Sequence, residues 1–331
     1  MAGVEPAELE TLARLAGASA RRFPLDWRQV ESVQDTWNEG GWDYYRVAYD
    51  AILDQRMTPV ISFGFAPPWA RLPGAPQACR DFFACRYPPA PEMDDEWREF
   101  AAEVARRFPR AVLEVWNEPN LAIFWRPAPD PERFAELQAI AFDAIKSVRP
   151  STIVLAGGLA AIQEADSLVA PVTPGDVALS EFLDRAYSAD PGIKGKMDAI
   201  SFHPYPYGEA LGAGSVFAKS FQDVRVVASE HGDAGRALWV TETGIPTAGN
   251  YLPVTEEVQA DVLVRMYRRL ATMEDVDGIF LHRLLPPPTE PAGSIEVGYA
   301  LLRSATPPYE DPKPGFCALV ELAGNKHEGC P

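Results

Sequence analysis

The sequence lacks the features that mark several large classes of protein. No apolar run approaches the ~20 residues that a transmembrane helix needs, so no membrane partner is expected. Basic residues are outnumbered: 30 Lys and Arg stand against 47 Asp and Glu, a formal charge of −17. Such a chain is repelled by phosphate-rich partners, so neither nucleic acid nor an anionic membrane surface is expected. Cysteines number four, with no CxxC or HxxxH spacing anywhere, and no local pattern points to zinc. No Gly-rich phosphate turn follows any apolar run, which disfavours a doubly wound nucleotide-binding sheet. Neither a metal nor a cofactor is expected. No signal peptide is visible at the N-terminus.

The cysteines fall into two local pairs, Cys79 with Cys85 and Cys317 with Cys330. An even count in local pairs suits two disulfides and an oxidising compartment, extracellular or at the cell envelope; four free thiols are the alternative. Proline is abundant at 32 residues, clustered in stretches such as FAPPWARLPGAP and RLLPPPTEP that read as ordered loops.

Apolar runs of strand length alternate with amphipathic helices. ASARRFPLDW, TPVISFGF, AVLEVW, STIVLAGG, MDAISFH, ALWVTE and VDGIFLHR read as strands. They are short and apolar, as in a parallel sheet buried on both faces. Eight helical segments lie around and between them, and DDEWREFAAEVARRF carries acids in its first turn and arginines in its last, as the helix dipole favours. This is the pattern of a (β/α)₈ TIM barrel one strand short. Only MAGVE precedes the first helix, where the first strand belongs. The expectation is one catalytic barrel domain over residues 1–331, truncated at its N-terminus and lacking most or all of that strand.

Barrel enzymes carry their chemistry at the C-terminal ends of strands. Those ends hold Arg22 and Asp26, Phe63 and Trp69, Asn117 and Glu118, His203 and Tyr205, Glu242, and His282 and Arg283. Glu118 and Glu242 fall at the fourth and seventh strand positions of an eight-strand barrel, where two carboxyls can face each other across the mouth. Facing carboxyls suit glycoside hydrolysis, one protonating the leaving oxygen and the other attacking the anomeric carbon or activating water. Hydrogen bonds from Tyr205 or Arg22 would keep Glu242 ionised. Trp69, Trp116, Trp125 and Tyr207 offer flat faces on which sugar rings can stack. Glu114, inside a strand, reads as a buried, paired acid without an assigned role.

These motifs carry a resemblance. VWNEPNL resembles the acid/base motif of the retaining glycoside hydrolases of clan A, most of all family 39 and related family 5-like enzymes. WVTETGIPT is similar to their nucleophile strand, DAISFHPYPYG to their sixth strand, and ARRFPLDW to their second. The resemblance covers nearly the whole chain from about Glu8. It implies Glu118 as general acid/base and Glu242 as nucleophile. It implies Asn117 on the sugar 2-hydroxyl, Tyr205 orienting Glu242, and His203 and Arg22 in the same subsite; Trp69, Trp125 and His282 complete the expected substrate-binding set. A carbohydrate substrate and carboxyls ~5–5.5 Å apart follow from it. The family usually places an aromatic near the end of the eighth strand, where this chain has His282. A carbohydrate-binding barrel without turnover and a metal-dependent barrel hydrolase are the other readings.

Overall fold

The computed structural model describes residues 6–76, 85–163, 174–208, 210–250, 252–307, 309 and 311–331. Seven strands form one continuous parallel sheet in chain order. They are β1 (Ala20–Asp26), β2 (Thr58–Gly64), β3 (Val112–Val115), β4 (Val154–Ala160), β5 (Ala199–His203), β6 (Ala237–Thr243) and β7 (Val276–Leu281). The sheet curls until β1 and β7 approach one another, but no ladder joins them. This is the barrel expected from the sequence, open by one strand among the described residues.

The helices are α1 (Pro6–Leu15), α2 (Trp27–Val30), α3 (Glu39–Asp54), α4 (Asp94–Arg107), α5 (Pro131–Val148), α6 (Leu179–Ala189), α7 (Val216–Glu230), α8 (Glu256–Leu270), α9 (Ile295–Tyr299) and α10 (Pro314–Leu322). Two of them, the short α2 and α9, have no helical signature in the sequence. No described helix is long and apolar enough to cross a membrane.

Strand parity explains the layers. Outward residues such as Ile61, Phe63, Leu113, Val115, Ile200 and Phe202 meet the helices in the main core. Inward residues Val60, Val112, Leu155, Ala199, Trp239 and Phe280 form a second apolar cluster that plugs the barrel interior. Two residues further along the same faces the chain turns polar: Ala20 is followed by Arg22, Val60 by Ser62, Val112 by Glu114, and Ala199 by Ser201 and His203. An apolar floor thus lies beneath a polar layer at the C-terminal mouth. Gly278 is required in that floor, because a Cβ there would lie 2.4 Å from the Trp239 ring.

Cys317 and Cys330 form a disulfide with Cα atoms 5.4 Å apart, as their local pairing suggests. The expected Cys79–Cys85 bond involves Cys79, which lies outside the described residues.

Candidate active site

The chain leaving β3 turns sharply to deliver its polar groups. Trp116 and Glu118 both have left-handed backbones, with φ of 74° and 48°. Such conformations cost of order 1–3 kcal/mol each in residues with a side chain and persist only where neighbours hold them. Here the Trp116 N–H donates to Phe63 O at 2.9 Å, and the Glu118 N–H donates to Gly158 O at 3.0 Å. Pro119 further narrows the backbone choices of Glu118. The turn rotates the Trp116 ring into the outer core, where its Nε1–H donates to Phe124 O at 3.0 Å, and leaves Asn117 and Glu118 facing the mouth.

A bulge in β4 completes the cradle. Gly157 and Gly158 have φ of 100° and 51°, and the register with β5 shifts there. Gly158 lies against two buried groups: a Cβ on it would come 3.1 Å from His203 Nε2 and 3.2 Å from Glu114 Oε1. Ser201 holds the bulge, accepting from Gly158 N–H at 2.8 Å.

Arg22, from the polar layer of β1, crosses the interior. It donates to Glu114 Oε2 at 2.7 Å, to Glu242 Oε1 at 2.5 Å and to Asn117 Oδ1 at 2.7 Å. A guanidinium only donates, so the contact with Asn117 fixes its amide oxygen inward and leaves its NH₂ as the free donor. The buried, multiply paired guanidinium is held as a cation: burial opposes the charge, but Glu114 and Glu242 outweigh it and raise its pKa.

Glu242, at the end of β6, also accepts from Tyr205 O–H at 2.9 Å. His203 Nδ1 and His282 Nδ1 lie 3.9 and 3.8 Å from its Oε2. Burial alone would raise the Glu242 pKa. The charges of His203, Arg22 and His282 and the Tyr205 hydrogen bond overcome it and hold this carboxyl well below the usual range. His203 Nδ1 meets Glu118 Oε1 at 2.8 Å. Burial disfavours the His203 charge, yet Glu242 and Glu118 together push its pKa up. The side chains of Glu118 and Glu242 keep 14% and 20% of their surface, so both reach solvent while His203 is sealed beneath them.

Glu118, His203 and Glu242 each offer an oxygen or nitrogen within 4.8 Å of the others. That spacing also suits cation ligands, but Arg22 already occupies one Glu242 oxygen with a positive charge.

Not every candidate reaches this centre. Trp125 is 1% exposed and packs against Trp116 with ring centres 4.8 Å apart, so it pins the loop after β3 and shows no face to solvent. Trp116 is equally buried, so neither ring lines the lip as the sequence suggested. Trp69 is half-buried, edge-on to Trp27, with its Nε1–H donating to Glu31 O; it is not joined to the carboxylates. His282 does stand at the site, with Nε2 on Glu296 at 2.9 Å. Two participants, Gly158 and Tyr299, were not singled out by the sequence, and a third, Glu114, was read as a buried, paired acid but given no role. Glu114 carried a signal in the inward parity of Val112 and Glu114. Gly158 carried one in a glycine pair inside an apolar strand. Tyr299 carried none.

The comparisons with known proteins bear on the fold. No family model matches the chain. It is 31% identical over 133 residues to a β-xylosidase of Geobacillus stearothermophilus, 38% of this chain and 25% of that protein. A family 39 glycoside hydrolase from Bacteroides cellulosilyticus superposes with a TM-score of 0.67 at 22% identity, over 96% of this chain and 60% of that one. A monomeric β-xylosidase from Caulobacter crescentus gives 0.66 at 21%, over 97% and 65%. The chain has the fold of the TIM-barrel glycosidases. It spans a quarter of the curated relative and under two thirds of each of these structures.

Proposed function

We propose that the protein is a retaining O-glycosyl hydrolase, with Glu118 as general acid/base and Glu242 as nucleophile. The observation that carries this reading is the closeness of the two carboxylates, one oxygen of each lying within 4.8 Å of the other. Retaining enzymes hold their carboxyls ≈ 5–5.5 Å apart, whereas an inverting pair needs ≈ 6.5–9.5 Å to admit water between them. The two carboxyls also have different partners. Glu242 is kept ionised by Arg22 and Tyr205, while Glu118 has the titratable His203 as its partner.

In the first step the Glu242 carboxylate attacks the anomeric carbon. The bond to the leaving oxygen breaks, and that oxygen takes the Glu118 proton. In the second step Glu118 takes a proton from water, which displaces Glu242 from the sugar. The free NH₂ of Asn117 is placed to donate to the sugar 2-hydroxyl, a contact that strengthens as charge develops. The β-xylosidase relatives support a β-glycoside as substrate. The Cys317–Cys330 disulfide supports work in an oxidising compartment.

The test is hydrolysis of a panel of aryl glycosides by wild type and Glu242→Gln. The variant is expected to lose ~10³-fold or more in kcat with substrate binding retained. Unchanged turnover would remove the nucleophile assignment. A folded wild type that binds sugars and cleaves none would favour a binding protein, and activity abolished by chelation would favour a metal-dependent hydrolase.

A further inference from the structure

The residue that follows β7 is His282, an imidazole rather than a broad apolar platform, and a second ring, that of Tyr299, packs against it. We propose that Tyr299 is a substrate-contacting residue, its ring walling the subsite between Glu118 and Glu242 and its hydroxyl bonding a sugar hydroxyl there. The inference rests on the glycosidase reading and adds a residue to it.

Placement is the first support. The Tyr299 ring centre lies 5.3 Å from that of Tyr205 and 5.4 Å from that of His282, the two rings that face Glu242. Its ring edge packs on Gly244, one residue beyond β6, where a Cβ would come 3.2 Å from Tyr299 Cδ1. Burial raises its pKa, and the nearby Tyr207, Glu296, Glu118 and Glu242 raise it further, so the phenol keeps its proton and is a donor.

The second support is the unmet hydroxyl. Among the described residues no group accepts from or donates to Tyr299 Oη, although the residue is half-buried beside two carboxylates. A hydroxyl sealed from solvent would need a partner within the fold; this one is open to solvent, so its partner can come from outside. A sugar hydroxyl between Glu118 and Glu242 would supply one.

The third support is how firmly the residue is delivered. It ends the five-residue α9, far too short to be stable alone. The carbonyl of the preceding Gly298 accepts from the Thr247 N–H at 3.0 Å, the Gln259 amide at 3.1 Å and the Lys313 ammonium at 3.2 Å. Gln259 and Lys313 are themselves buried. Gly298 has no room for a side chain, since a Cβ would lie 2.6 Å from Ala248 N. Glu296 and Tyr299, three residues apart, share one helical face. Glu296 grips His282 and Arg283 at 2.9 and 3.0 Å, which locks that face against the mouth.

The test is steady-state kinetics of Tyr299→Phe and Tyr299→Leu on a glycoside the wild type hydrolyses, with its monodeoxy analogues and a melting curve for each variant. Tyr299→Phe is expected to melt like wild type and to lose about tenfold in kcat/KM, the worth of one hydrogen bond. Removing one particular sugar hydroxyl should penalise the wild type but not Tyr299→Phe, a coupling that a purely structural role would not produce. Tyr299→Leu should lose about tenfold more. Folded variants with wild-type kcat and KM on every substrate would overturn this inference while leaving the glycosidase reading intact. A wild type that hydrolyses no glycoside would overturn that reading and this inference with it.

Discussion

The Arg22 guanidinium, rising from the first described strand, donates to the Glu242 carboxylate at the end of the sixth at 2.5 Å. The same side chain holds Glu114 and Asn117, so one cation sets the charge of the proposed nucleophile, the pairing of a fully buried acid and the orientation of an amide. Its removal should therefore do two separable things.

Arg22→Met leaves Glu114 buried without its partner, a class of change that costs about 3–5 kcal/mol. Arg22→Met with Glu114→Gln should recover much of that stability, and the double variant isolates the effect on Glu242. Because the Glu242 pKa is depressed in the fold, its ionisation stabilises the protein above the ordinary glutamate value of about 4.3, and that stability is lost as pH falls through the depressed value. Without Arg22 the native pKa rises toward the ordinary value. The acid limb of kcat/KM should then move up by ~1–3 pH units. An acid limb that does not move would show that Arg22 does not set the charge of Glu242. His203 has the opposite sign, its raised pKa giving stability that is present below about pH 6.5 and lost as pH rises through the native value.

Gly158→Ala tests the cradle in β4. The added methyl would lie 3.1 Å from His203 Nε2 and 3.2 Å from Glu114 Oε1, on a backbone already at φ 51°. We expect a loss of about 1–3 kcal/mol in stability. Displacing His203 from Glu118 should also cost at least about tenfold in kcat. Denaturant unfolding and steady-state kinetics on the same preparation check both. Wild-type activity in a folded Gly158→Ala would show that the bulge does not position His203.

Much of this was legible in the sequence. The seven strands are short apolar runs between amphipathic helices, and the strand ends name Arg22, Asn117, Glu118, His203, Tyr205, Glu242 and His282, which the fold gathers at one mouth. Parity along a strand also predicts that Glu114 faces inward, but not that its partner is Arg22, which reaches across from β1 past β2. Trp116 misled because a left-handed turn at that residue, invisible in composition, swings its ring into the helix layer. Trp125 follows it there. Tyr299 could not be read at all, since a five-residue helix beyond the last strand carries no periodicity, and only tertiary anchoring through Gly298 brings it to the site.

The most direct test of the central claim is covalent trapping. Wild-type protein would be incubated with activated 2-deoxy-2-fluoro glycosides, followed by mass spectrometry of the intact chain and its peptides. A retaining mechanism on Glu242 predicts a stoichiometric mass increase of one fluoroglycosyl unit, mapped to the peptide containing Glu242 and absent in Glu242→Gln. An enzyme that turns over the parent glycoside yet forms no adduct, or forms it on another residue, would contradict the account.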